Sequence, residues 1–248
     1  PSVPHYYSTY LLDTSDRAIM KMVNVPTEQV GLYNVAYTVG NLVNSLGMAS
    51  NLAVGPLLNE SYKNERHSEA RYLVFVLQAA FFCITFCVSI WLKEIFVLLI
   101  RNEALQGVYP LGIIIVMAYS YMPMYAGASS RLFYLEKTKV LLKVTFTAGI
   151  INVLLNFIFI PIYGYQVAVF TTFFALMYMG YGGYFLKVFR ENAGVNYYPV
   201  RWIFTTVLLA IAAYFAVELN IFLKIAITAV VLSLALIFLR KINKARRA

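Results

Sequence analysis

Tyr72-Leu73-Val74-Phe75-Val76-Leu77-Gln78-Ala79-Ala80-Phe81-Phe82-Cys83-Ile84-Thr85-Phe86-Cys87-Val88-Ser89-Ile90-Trp91-Leu92 runs from Arg71 to Lys93 without a charged side chain between them. A helix rises 1.5 Å per residue, so the ~30 Å hydrocarbon core of a bilayer takes roughly 20 residues. The stretch has that length and predicts a transmembrane helix. Cys83 and Cys87, four apart inside it, read as small buried hydrophobes, a setting that suits neither a disulfide nor a metal pair.

The same length test finds eight such stretches, at residues 4–23, 30–58, 72–92, 109–130, 140–160, 165–186, 202–217 and 221–239. The expected fold class is all-α, a polytopic membrane helix bundle of about eight transmembrane helices. Residues 94–100 are apolar but too short to span, which predicts an interfacial or re-entrant helix. Glu218-Leu219-Asn220 leaves room only for a tight turn between the last two spans. The organisation expected is a six-helix bundle over 1–186, a cytoplasmic loop at 187–201, a helical hairpin at 202–239 and a basic tail at 240–248. With 61% hydrophobic and 12% charged residues, against about 25% charged in a soluble domain, a water-soluble fold is excluded.

Most of the 20 Lys and Arg fall in alternate connections, at residues 61–71, 131–143 and 187–201 and in the tail from 240. The positive-inside rule places that set in the cytoplasm, with both ends of the chain. The net charge of +9 therefore reads as topology, and no nucleic acid is expected.

Charge at bilayer depth costs roughly 2.5–3.5 kcal/mol per residue on insertion scales. Asp13, Asp16 and Arg17 all lie in the first span. An ion pair between Asp13 and Arg17, spaced i,i+4, is the plain structural reading. It leaves Asp16 without a local partner, and such a carboxylate is a candidate proton or cation site. On the second span Asn34, Tyr37, Asn41, Asn44, Met48, Asn51 and Gly55 recur at spacings of three and four. That places them on one face, read as cavity lining. Asn152 and Asn156 on the fifth span read as interhelical glue. Pro123, mid-span, predicts a kink and is the candidate hinge. No catalytic or metal-binding motif is present and no cofactor is expected; His5 and His67 are isolated.

Asp16-Arg17, then Val30-Gly31-Leu32-Tyr33 and Ala36-Tyr37, resemble the opening of the second lobe of bacterial polysaccharide flippases, the O-antigen and capsular repeat-unit transporters of the multidrug/oligosaccharidyl-lipid/polysaccharide exporter superfamily. Asn152-Val153-Leu154-Leu155-Asn156 and Ile160-Pro161-Ile162-Tyr163-Gly164-Tyr165 resemble a later motif of that family. Gln166-Val167-Ala168 departs from it where relatives continue with Gly-Ala. The resemblance implies a fourteen-helix, two-lobed transporter of which this chain is the C-terminal portion, with six helices preceding it.

By that resemblance the cargo is a polyprenyl-pyrophosphate-linked oligosaccharide, carried across the bacterial cytoplasmic membrane for surface polysaccharide synthesis. A polysaccharide polymerase and membrane lipid are its further partners. Arg17, Asn41, Asn44 and Lys143 would bind substrate, with Arg17 on the anionic headgroup and Lys143 at the cytoplasmic mouth. Asp13 and Asp16 would orient Arg17 or bind a coupling ion. Two other readings stand beside it: a cation-coupled multidrug exporter of the same superfamily, and a non-transporting scaffold of a polysaccharide assembly complex.

Overall fold

The computed structural model describes residues 14–247, and among them every regular element is helical. Residues 14–22 form α1. There follow α2 (Thr27–Lys63), α3 (His67–Ile90), the short α4 (Leu92–Leu99) and α5 (Glu103–Gln106), α6 (Tyr109–Ala118), α7 (Met122–Tyr134) and α8 (Thr138–Tyr163). The chain ends with α9 (Ala168–Tyr181), α10 (Lys187–Asn192), α11 (Pro199–Ala216) and α12 (Ile221–Arg247).

Among the described residues five stretches are long and apolar enough to cross a membrane: His67–Ile90, Tyr109–Tyr134, Thr138–Tyr163, Pro199–Ala216 and Ile221–Phe238. The protein is thus a helical membrane protein, and five of the eight expected spans pass this test among the described residues. The difference has physical causes. Most of the first expected span lies outside the described residues. The second, α2, is long enough at 37 residues but carries four asparagines, Asn34, Asn41, Asn44 and Asn51. The sixth is cut to 14 residues in α9, between 3-10 turns at Tyr165–Val167 and Gly182–Phe185. Residues 187–201, expected as a loop, contain α10 and the start of α11.

The core is the Tyr109–Tyr134 rod, whose apolar stretch is 94% buried. Gly112 to Ala118 are buried around the whole circumference, as befits a helix hydrophobic on all sides. Helices α2, α3 and α9 pack around the rod, and α8 packs on α9. The hairpin of α11 and α12 lies on the flank against α3; only 11% and 6% of its apolar stretches are buried.

The seam between α2 and the rod depends on two glycines. A Cβ at Gly40 would stand 2.5 Å from Cγ2 of Ile115, and one at Gly47 1.9 Å from Sδ of Met122. Both pairs are seven residues apart, so one pair of facing ridges brings the backbones together.

The rod breaks into a 3-10 turn at Tyr119–Tyr121, immediately before α7 and Pro123. Proline lacks the N–H for the carbonyl four residues back and its ring crowds it. Gln78 of α3, fully buried, donates its amide to the Ser120 carbonyl at 2.9 Å.

The basic connections meet at one end of the bundle. Arg131 donates to the Asn192 carbonyl at 3.0 Å, Arg71 donates to that of Asn196 at 3.4 Å, and the Tyr62 and Tyr197 hydroxyls lie 3.4 Å apart. Another cluster joins α4 to the C-terminal hairpin: Lys93 pairs with Glu218 at 2.6 Å and Lys224 with Glu94 at 2.5 Å.

Candidate functional site around Asp16 and Arg17

Helices α8 and α9 form an antiparallel hairpin about Gly164, whose φ of 78° and ψ of −179° suit glycine alone. Residues at similar distances from such a turn meet across it. Asn152 and Asn156, one turn apart on α8, therefore face Thr171 and Thr172 on α9. Thr171 Oγ1 donates to Asn156 Oδ1 at 2.5 Å, and Asn152 Nδ2 donates to Thr172 Oγ1 at 3.1 Å.

Asp16 of α1 enters this polar seam and is completely buried. Its Oδ1 accepts an amide hydrogen from Asn156 at 2.6 Å, and its Oδ2 accepts the Thr172 hydroxyl at 2.8 Å and the Tyr33 hydroxyl of α2. Asn156 gives its second amide hydrogen to Asn152 Oδ1 at 3.0 Å, and the same oxygen accepts from Ser15 at 3.0 Å. Burying a carboxylate is tolerated only where such donors replace water. Four helices thus converge on one side chain.

Arg17, adjacent in sequence, points about 100° away around the helix. Its Nε donates to Asn34 Oδ1, and its guanidinium stands 4.9 Å from the Tyr37 ring centroid and 5.7 Å from that of Tyr33. The two tyrosine rings lie 5.1 Å apart. Tyr33 therefore touches both groups, by its hydroxyl to Asp16 and by its ring to Arg17. The Tyr37 hydroxyl is buried and has no well-formed hydrogen bond among the described residues.

The asparagine face of α2 divides. Tyr37 turns into the core, whereas Asn34, Asn41 and Met48 are exposed and Asn44, Asn51 and Gly55 are half-buried. Thr38 and Ser45 return their hydroxyls to the carbonyls of Asn34 and Asn41, at 3.3 and 3.0 Å. Arg17, Asn34 and Asn41 thus share an outward row on the surface of this chain.

Lys143 stands apart. It is exposed on α8 and forms no ion pair among the described residues. Thirteen residues separate it from Asn156, roughly 20 Å along the axis. Pro123 sits in the core of the rod. Asp13 and His5 lie outside the described residues. His67 packs against Gly194. Among the described residues no group of three or more His, Cys, Asp or Glu is placed to hold a metal ion.

Asp16 is therefore not the partnerless carboxylate its sequence neighbours suggest, because its partners come from remote helices. Tyr33, Thr171 and Thr172 carry no sequence signal beyond being polar residues in apolar helices. The i,i+4 spacing of Asn152 and Asn156 is the one visible mark of the seam. Chemically, the cluster brings amide and hydroxyl donors onto one carboxylate and so holds a charge away from water.

No protein-family model, curated protein or solved structure matches the chain.

Proposed function

We propose that this chain is the C-terminal portion of a flippase that carries lipid-linked oligosaccharide across a bacterial cytoplasmic membrane, with the end bearing the basic connections in the cytoplasm. The observation that supports it is the divergence of Asp16 and Arg17: one is sealed in a polar seam, the other set on an outward row of asparagines. A polyprenyl pyrophosphate needs a cation with several directed donors, sugars need amides, and both need shelter from lipid.

In this reading Arg17 holds the pyrophosphate and Asn41 and Asn44 contact sugar. Lys143 draws the anion to the cytoplasmic mouth. Asp16 binds the coupling proton or sodium ion, and Tyr33 links that event to Arg17. Rocking of this bundle against a preceding one, with Pro123 as its hinge, would alternate access.

The test is complementation of a strain that lacks the transporter. Arg17→Ala abolishes surface polysaccharide while leaving protein in the membrane, and Arg17→Lys retains part of it. Wild-type polysaccharide in the alanine variant refutes the assigned role.

A further inference from the structure

Where the chain leaves α9 and enters α11 it walls a pocket of about 940 Å³, within the range of small-ligand sites. Tyr184, Phe189 and Tyr197 make its floor, with ring centroids 4.7, 5.2 and 5.7 Å apart. The wall opposite is preorganised. Tyr198 takes the left-handed conformation, φ 50°, its N–H donating to Asn196 Oδ1 at 2.8 Å. The Asn196 carbonyl is in turn held by Arg71 at 3.4 Å.

Two guanidinium groups border this pocket, Arg190 and Arg201. Neither pairs with a carboxylate among the described residues, and Arg201 lies over the Tyr198 ring at 4.6 Å. The acidic lining residue, Glu191, is engaged elsewhere, 3.7 Å from Lys187. Unpaired arginines on a rigid aromatic wall suit bidentate recognition of phosphate. The rim decides which phosphate. Val200, on the rim, and Phe204, one turn on, are each 64% exposed where the Pro199–Ala216 span begins. A ligand seated there has its anionic end among the arginines and its continuation along lipid-facing α11.

We propose that this pocket binds an anionic glycerophospholipid, with the phosphate on Arg190 and Arg201 and the acyl chains along Val200 and Phe204. The site is separate from the Asp16 and Arg17 centre and does not rest on the transport reading.

Native mass spectrometry of the purified protein with phosphatidylglycerol and phosphatidylcholine tests it. The anionic lipid binds in preference, and Arg190→Gln with Arg201→Gln weakens it by more than about tenfold, as the loss of charge-assisted hydrogen bonds to phosphate does. The control is an equal charge loss at the same end of the bundle, Lys137→Gln with Lys139→Gln, which changes binding less than about twofold. An equal loss in both double variants means diffuse attraction to a basic surface and overturns the proposal. So does displacement of the lipid by excess inorganic phosphate, which identifies a free phosphate site instead. The substituted arginines are exposed, and an unchanged melting temperature confirms that the variants are folded.

Discussion

The amide of Asn156 and the carboxylate of Asp16 meet at 2.6 Å although 140 residues of chain separate them. The bond ties α1 to the α8–α9 hairpin. Removing a donor leaves a buried carboxylate short of a partner, which costs about 1.5–3 kcal/mol. Asn156→Leu lowers the melting temperature of the purified protein more than Thr172→Val, because Asn156 also holds Asn152 and Thr171. Asp16→Asn keeps the volume but brings an amide NH2 to donors that require an acceptor. It destabilises as well, and equal melting of Asp16→Asn and the wild-type protein would falsify the network.

The two glycines of the α2 seam differ in what a methyl would meet. At Gly47 the obstacle is Met122, an unbranched side chain with three rotatable bonds that moves aside. At Gly40 it is the branched Ile115, backed by the Tyr119 ring at 3.3 Å. Gly40→Ala therefore costs about 1–3 kcal/mol, the usual cost of overpacking, and Gly47→Ala costs less. Thermal unfolding of the two variants in one detergent measures the order, and the reverse order rejects this account of the seam.

Length and charge alone make the membrane class readable, since Arg71 and Lys93 bracket the apolar stretch 72–92 and the helix found, His67–Ile90, covers most of it. They do so less well where polar residues enter a helix. The asparagine row of α2 is visible as a 3–4 pattern, yet Tyr37 within that pattern is buried, with Arg17 of α1 over its ring. Asp16 is conspicuous as a charge, and its donors are not. Tyr33 and Thr172 become donors only when two hairpins close, and no local pattern records such an encounter. Lys224 reads as a loop charge beside a tight turn, whereas folding buries it completely.

Lys224 lies four residues into α12 and pairs with Glu94 of α4 at 2.5 Å. The Glu94 side chain remains 34% exposed, so the pair is worth less than the 3–5 kcal/mol lost when a fully buried pair is broken. Lys224→Ala costs about 2 kcal/mol and frees the hairpin, read as faster proteolysis near Asn220. Lys224→Met combined with Glu94→Leu restores resistance, since neither partner is then left alone. Failure of the double variant to recover would mean that the ionic contact has a role beyond attachment.

Glu218 and Lys93 make the same attachment sensitive to pH. The Lys93 ammonium, and after it the Tyr109 hydroxyl, hold the Glu218 carboxyl below the usual glutamate range, and the bond to Glu218 raises Lys93. The Glu218 contribution is complete above the ordinary glutamate pKa and fades as pH falls through the lowered value. That of Lys93 is complete below the ordinary lysine pKa and fades as pH rises through the raised one. The attachment is therefore firm across the neutral range and loosens at both extremes, and salt weakens it. Trp91, whose Nε1 donates to Thr228 of α12 at 3.0 Å, is the reporter. In a Trp202→Phe background its emission shifts to the red in acid, and Glu218→Gln removes that transition.

Arg131 performs the corresponding task where the basic connections meet. It is 7% exposed, gives Nε and Nη2 to the Asn192 carbonyl, and lies over the rings of Tyr62 at 4.9 Å and Tyr134 at 5.6 Å. A planar fork makes both contacts at once, and an ammonium cannot. Arg131→Lys is therefore nearly as damaging as Arg131→Gln, each losing about 2–3 kcal/mol of stacking and charge-assisted hydrogen bonding. The effect is local, because Asn192 closes α10 directly before the wall of the lipid pocket. Limited proteolysis of residues 187–198 accelerates in both variants. Phosphatidylglycerol binding falls with it even though Arg190 and Arg201 are intact, since the loop that carries the pocket wall is no longer held.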